Sequence, residues 1–219
     1  MTTREDAWTQ PSHWCTAPHQ WHADDTEATE HEVSELAAGF VRALQPHIVI
    51  ETGTYRGQTS LAIGQALVEN GHGHLFTIEA DPVLAANAEL ELAAFPVSVI
   101  CADASAWLAE PHFSPRVGFA WIDSGILATR PNTPTSRGYE ASRAAEIERL
   151  LPYCEPGAII GVHDTGPQHP VLASLQPLFG AGALLPGITL RTPRGVTFAQ
   201  VPVTLLVPPG YLVPPRPRT

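Results

Sequence analysis

Apolar residues at Val33, Leu36, Ala37, Phe40, Val41 and Leu44 recur at three- and four-residue spacing, which predicts a helix over Glu27 to Leu44 with Asp25 or Thr26 as its N-cap. The period then changes. His47 to Ile50 is a short continuous apolar run closed by Gly53, the pattern of a strand buried on both faces. Thr59 and Ser60 open a second helix that runs through Leu61 to Val68 and stops at Asn70-Gly71-His72-Gly73. The same alternation continues with a strand at His74 to Glu79 and a helix from Asp81-Pro82 to Phe95, where an N-cap acid precedes proline at the first helical position. A third strand follows at Val97 to Cys101.

Further on, Val117 to Ile122 is a fourth apolar run. Tyr139 to Leu151 has Ala144, Ile147, Leu150 and Leu151 on an inner side, and Gly157 separates it from a fifth strand at Ala158 to Val162. Val171 to Phe179 reads as a helix. Ile188 to Thr192 and Val196 to Val201 read as two strands of a hairpin turned by Pro193-Arg194-Gly195. Alternating strands and helices predict an α/β fold with a doubly wound, mostly parallel sheet and an antiparallel C-terminal hairpin strand. The expected organisation is an irregular arm over 1–26, one domain over 27–201 and a proline-rich tail over 202–219.

Composition narrows the function. With 219 residues and 44% hydrophobic content, the chain has material for one substantial core and little room for a second domain. A net charge of −10 with scattered Lys and Arg disfavours nucleic acid as a partner. No apolar run reaches the roughly 20 residues of a membrane span, and Met1 to Asp6 lacks a signal-peptide core, so a cytoplasmic protein without a membrane partner is expected. Cys15, Cys101 and Cys154 are odd in number and far apart, which predicts reduced thiols and no structural zinc.

Ligands of open parallel sheets bind beyond the carboxyl ends of the strands, and acids stand at most of those ends here. Glu51, Glu79, Asp103 and Asp123 terminate or follow the first four strands, and His163 and Asp164 end the fifth. Around the first strand the spacing is E-x-G-x-x-x-G, from Glu51 through Gly53 to Gly57. Tyr55 and Gln58 occupy the places where a dinucleotide-binding turn carries its second and third glycines.

This turn resembles motif I of class I S-adenosylmethionine (SAM)-dependent methyltransferases, whose sheet is seven-stranded and Rossmann-like. The resemblance implies that Glu51, Thr52, Gly53, Tyr55, Gly57 and Ser60 form the methionine side of a SAM site. It also implies that Glu79 accepts hydrogen bonds from the ribose hydroxyls and that Asp103 and Ala104 read the adenine. A carboxylate suits a vicinal diol because it offers two acceptor oxygens. Capping of the Ala104 to Ala109 helix is a compatible role for Asp103.

Trp121-Ile122-Asp123-Ser124 and Pro156 through Thr165 are similar to the branch of small-molecule O-methyltransferases related to macrocin O-methyltransferase and the cephalosporin-hydroxylase-like proteins. In that branch acids ending strands four and five bind a divalent metal, which puts Mg²⁺ on Asp123 and Asp164; the same pair is otherwise expected to orient the acceptor. Glu140 and His163 are the candidates for a third ligand. A metal-bound hydroxyl is easier to deprotonate before it attacks the methyl group. His163 is a candidate general base, its ordinary pKa near 6.5 suiting proton removal at neutral pH, and a structural role, hydrogen bonding the neighbouring loops, is expected at least equally.

The expected activity is thus SAM-dependent methyl transfer to a hydroxyl of a small molecule, with Ser124 to Gly138 as the acceptor lid. Two other readings stay open: an NAD-dependent oxidoreductase, and a non-catalytic nucleoside-binding assembly protein that uses its Trp-rich arm and proline tail for partners. The arm residues Trp8, Trp14 and Trp21 are expected to close over the cofactor, to join a dimer, or to pack on the first helix; His13, His19 and His22 read as ordinary polar positions. A homodimer is the base-rate assembly.

Overall fold

The computed structural model describes residues 11–25, 27–110, 116–125, 139–167 and 171–203, with the side chains of 139–142 excepted. Most of the expected lid and the whole proline-rich run Val207 to Pro215 lie outside the described residues. Helices α1 (His31–Leu44), α2 (Gln58–Asn70), α3 (Pro82–Leu92), α4 (Ala104–Trp107), α5 (Tyr139–Leu150) and α6 (Val171–Gly180) alternate with strands. The strands are β1 (Ile48–Thr52), β2 (His74–Glu79), β3 (Val97–Cys101), β4 (Val117–Ile122), β5 (Cys154–His163), β6 (Leu185–Leu190) and β7 (Val196–Gln200). They form one seven-stranded sheet in the order β3-β2-β1-β4-β5-β7-β6. β3 to β5 pair in parallel, while β7 runs antiparallel to both β5 and β6.

Alternation along the strands sorts the core into two layers. Ile48 and Ile50 of β1 and Ala120 and Ile122 of β4 pack with Ile147 and Leu150 of α5 and Val171 and Leu175 of α6. Val49, Phe119 and Trp121 point the other way, onto Val33, Ala37 and Val41 of α1 and Ile63 and Leu67 of α2. Val117 and Phe119, two residues apart, nevertheless reach opposite layers, because the β1–β4 and β4–β5 registers both shift between them.

Several boundaries differ from the sequence reading; among them, α3 ends at Leu92 rather than Phe95 and α4 at Trp107 rather than Ala109. α1 starts at His31 rather than Glu27, because Thr29 and Glu30 are buried and their side chains turn into the sheet ends. Asp25, expected as its N-cap, instead caps an earlier turn by accepting from the backbone amides of Glu27 and Ala28. β5 begins at Cys154, and Gly157 lies inside it at φ 88°, a backbone kink that a glycine accommodates without breaking the strand. The first hairpin strand sits three residues earlier than expected, which leaves Arg191 to Gly195 as a longer turn.

The described part of the arm packs on the domain, while Trp8 lies outside the described residues. Trp14 donates its indole N–H to the Thr192 carbonyl at 3.1 Å, Cys15 is buried, and Trp21 joins the α1–α2 layer. Among the described residues, no helix is long and apolar enough to cross a membrane.

The order of strand addition reverses between the parallel neighbours β1 and β4: β2 and β3 extend one way from β1, and β5 the other from β4. That switch point opens a crevice at the carboxyl ends of the strands. Tight packing beneath it rests on Gly161 of β5, where an added Cβ would lie 2.7 Å from the ring of the fully buried Trp121 and 3.0 Å from Phe198. Gly161→Ala is expected to lower unfolding stability by about 1–3 kcal/mol, read as a shift of the urea midpoint. An unchanged midpoint would show that Trp121 is not held against this strand.

Candidate active site

A cavity of about 530 Å³ fills the crevice. Its first wall is the turn after β1. Gly53 has φ 86°, and a Cβ there would fall 2.5 Å from the Asp123 carbonyl oxygen, so only glycine lets β1 and β4 close to this distance. The turn is fastened to β2: Gly53 N–H donates to the Ile78 carbonyl, and Thr54 and Thr77 share a 2.6 Å hydroxyl hydrogen bond. Tyr55 is itself left-handed at φ 50°. Its backbone N–H donates to Glu79 Oε2 at 2.8 Å, while Asp81 N–H donates to Glu79 Oε1 at 2.8 Å. Glu79 is therefore held by two backbone amides with lone pairs on both oxygens still to spare.

Beside Glu79, Ile78, Leu84 and Ala102 give the cavity apolar walls, and Asp103 and Ala104 lie at its far edge. Asp103 caps α4, accepting from Ala106 N–H at 2.8 Å, as the sequence allowed. Gln58 lines the same cavity, and its side-chain oxygen is buried without a hydrogen-bond partner. An orphaned acceptor in a cavity wall costs stability unless a ligand donor reaches it.

Glu51 takes no direct part in the wall. It is buried at the end of β1, where Ser60 Oγ donates to it. Burial, with smaller contributions from the Asp123 and Glu79 charges, pushes its carboxyl up to about 7, against the lowering effect of its hydroxyl partners. Thr52, Gly57, Ser60 and His163 likewise sit behind the cavity surface, whereas Gly53, Tyr55, Glu79, Asp103, Ala104, Asp123 and Asp164 line it.

The opposite end of the cavity is built from buried charge. Arg143, on α5 and 2% exposed, extends Nη2 to Asp123 Oδ1 at 2.9 Å and to Asp164 Oδ2 at 3.0 Å. Its Nε and Nη1 donate to the carbonyls of Ser124 (3.0 Å) and His163 (2.5 Å). Arg194, from the hairpin turn, grips Asp164 with two further bonds of 2.6 and 2.9 Å. Thr29 donates its hydroxyl to Asp123 Oδ2 at 2.7 Å, and Ser124 donates to the buried Glu146. Asp164 sits at φ 56°, a left-handed backbone that this clamp holds in place.

His163 is fully buried, with Nε2 2.7 Å from Glu30 Oε2 and Nδ1 3.1 Å from Asp123 Oδ2. Burial alone would lower its pKa. The charges of Asp123, Asp164 and Glu30 outweigh that and push it up to about 10. Each ring nitrogen therefore faces a carboxylate, and His163, expected as a general base or as a structural residue, sits behind the cavity surface between two acids. Glu30, Asp123 and Asp164 are held below the usual carboxylate range: burial opposes this, and the His163 and arginine charges overcome it.

The expected metal pair is brought together. Ligand atoms of Asp123, His163 and Asp164 fall within 4.8 Å of one another. Their oxygens, however, already accept from two guanidinium groups, a hydroxyl and an imidazolium, so this donor set as folded does not fit a divalent cation. The side chain of Glu140, the other candidate ligand, lies outside the described residues.

Sequence reasoning missed Glu30, Arg143 and the pairing of Arg194. Arg143 left a signal: it lies four residues before Ile147 and seven before Leu150, on the face of α5 that packs inward. Glu30 left none, since its partner is 133 residues away.

A family model described as a methyltransferase domain, Methyltransf_24, matches residues 50–165, more than half of the chain and spanning the turn, both acid-bearing strand ends and Arg143. The chain belongs to this methyltransferase family. The fold of the methyltransferase is similar to that of the O-methyltransferase TomG from Streptomyces achromogenes, solved with SAM, at 21% identity and a TM-score of 0.64 over 80% of this chain and 82% of that one. It is also similar to an O-methyltransferase from Bacillus cereus in complex with SAH, at 16% identity and a TM-score of 0.60, covering 80% and 83%. The SAH-bound methyltransferase PaMTH1 from Podospora anserina gives 14% identity and 0.60 over 84% of each chain. No curated protein matches the sequence.

The shifts of the buried groups make the stability of the methyltransferase depend on pH with a definite sign. Glu51 folded binds a proton that the unfolded chain releases between 4.5 and 7, and His163 does so between 6.5 and about 10, so both contributions fall as pH rises. The depressed acids act oppositely, their contribution fading as pH drops below 3.8 to 4.5. Urea midpoints should therefore peak near pH 5 and decline toward pH 10, and His163→Gln should flatten the part of the decline above neutrality. A wild-type midpoint that is level from pH 6.5 to 10 would contradict a charged buried His163.

Proposed function

We propose that the protein is a SAM-dependent methyltransferase that alkylates a hydroxyl of a small molecule. The observation that carries this reading is Glu79, a carboxylate fixed by two backbone amides at the end of β2 and facing a cavity between apolar walls. It would accept from the ribose diol, with the adenine between Ile78, Leu84 and Ala102 and its edge near Asp103 and Ala104. The orphaned Gln58 oxygen is an acceptor suited to the ammonium of the methionine portion. Gly53 and Tyr55 supply the close backbone approach there.

When bound, SAM supplies an electrophilic methyl group: its C–S bond breaks as the new C–O bond forms, leaving SAH, and the hydroxyl proton is released. The chain's part is positioning. Thr29, Asp123 and Ser124 line the cavity end where an acceptor hydroxyl would lie, and the buried clamp behind them fixes Asp123. The volume is that of a small-molecule cleft. The surrounding acidity, with a net charge of −10, disfavours a polyanionic acceptor. O-methylation also agrees with the naming of TomG and the Bacillus cereus protein, whose fold it shares, as O-methyltransferases.

Calorimetry on the full chain should register heat with SAM and with SAH and none with NAD. Glu79→Ala should weaken SAM by roughly 10- to 100-fold, the worth of hydrogen bonds to a charged acceptor. Heat with NAD and none with SAM would move the protein to the oxidoreductases. SAM binding without transfer to any member of a hydroxyl-bearing acceptor panel would leave it a binding protein.

A further inference from the structure

The acids ending β4 and β5 already hold a cation, and it is a side chain. Asp123 and Asp164, with His163, are spaced as a divalent ion would need. One nitrogen of Arg143 lies 2.9 Å from the first acid and 3.0 Å from the second. It therefore bridges two strand-end carboxylates just as one metal ion would. The rest of the guanidinium is pinned: Nε to the Ser124 carbonyl and Nη1 to the His163 carbonyl, the first residue following Asp123 and the second preceding Asp164. This planar fork thus reads the backbone and the side chains of both strand ends at once.

The two strand-end acids are already matched by cations, with Glu146 a further buried acid that accepts from Ser124. The carboxylates of Glu30, Asp123 and Asp164 face Arg143, Arg194 and His163, three groups against three, all at 12% side-chain exposure or less. A divalent ion placed between Asp123 and Asp164 would stand in contact distance of Arg143 Nη2 and would set two like charges side by side in a buried site. Such a cost is not recovered unless an existing cation leaves.

We propose that Arg143 takes the place of the divalent cation at this site, so that the acceptor end of the cavity is assembled by a guanidinium and needs no metal. Arg143 is a positioning residue in this scheme: it fixes the separation and orientation of Asp123 and Asp164 and neutralises them. The proposal rests on the methyltransferase reading for the use of the cavity, while the cation's identity is independent of it.

Titration of the purified full chain with Mn²⁺, followed by the electron paramagnetic resonance signal of the free ion, tests this. The wild type should bind no more Mn²⁺ than Asp123→Asn. Arg143→Ala, which leaves the two acids without their bridge, should bind Mn²⁺ at least about tenfold more tightly than the wild type. That gain should vanish in Arg143→Ala combined with Asp123→Asn, and Arg143→Lys should remain close to wild type. One Mn²⁺ per wild-type chain, lost in Asp123→Asn, would overturn the proposal. So would a folded Arg143→Ala that gains nothing. If Arg143→Ala does not fold, the comparison of wild type with Asp123→Asn decides alone. Mn²⁺ binding is read whether or not SAM binds, so failure here is distinct from failure of the calorimetry with SAM.

Discussion

The contact of Arg143 with Asp123 and Asp164 organises the whole acceptor side of the molecule. α5 contributes the arginine, β4 and β5 the acids, and through His163 and Arg194 the same cluster reaches Glu30 before α1 and the turn before β7. Five segments that are remote in sequence converge on a few buried charges. A charge buried without its partner costs several kcal/mol, so each segment is held by the others. This explains why the backbone tolerates a left-handed Asp164 and why α1 begins late: the residues just before it are spent on the cluster.

The cofactor side is built differently. There, backbone geometry does most of the shaping, through Gly53 against the Asp123 carbonyl and Glu79 on the amides of Tyr55 and Asp81. Few charges are buried among these residues, and burial pushes the carboxyl of Glu51, sealed behind the turn, up to about 7. The cavity thus joins a rigid, largely dipolar half to a half made of paired ions. Asp123 belongs to both, since its carbonyl limits the first and its carboxylate anchors the second.

What could be read from the sequence follows the same division. Strands β1 to β4 and their terminal acids were legible because buried parallel strands are continuous apolar runs, and glycines and a proline mark their ends. The seven-stranded mixed sheet and the family followed from those runs and the E-x-G-x-x-x-G turn. β5 was shortened because a glycine at positive φ inside a strand looks like a stop. The ion cluster was half legible: Asp123, His163 and Asp164 are neighbours of strand ends, yet their roles depend on Glu30, Arg143 and Arg194, and pairing across more than a hundred residues leaves no local pattern. The choice between a base and a structural role for His163 stayed open in the sequence for the same reason, since the two carboxylates facing its ring come from Glu30 and Asp123.

A buried cluster of paired ions is not an efficient way to stabilise a domain, because apolar residues of the same volume would often do as well or better. What apolar packing would not provide is directional constraint. The guanidinium of Arg143 fixes two strand ends by bonds to their carbonyls and carboxylates together, and Arg194 adds a second fork to Asp164. The acceptor end therefore has one arrangement rather than several of similar energy. For a reaction in which an oxygen must approach a methyl group in line with the departing sulfur, a fixed Asp123 is worth more than the same carboxylate on a mobile support. On the proposed reading, the stability given up by burying charge goes into holding Asp123 in one place at the cavity end.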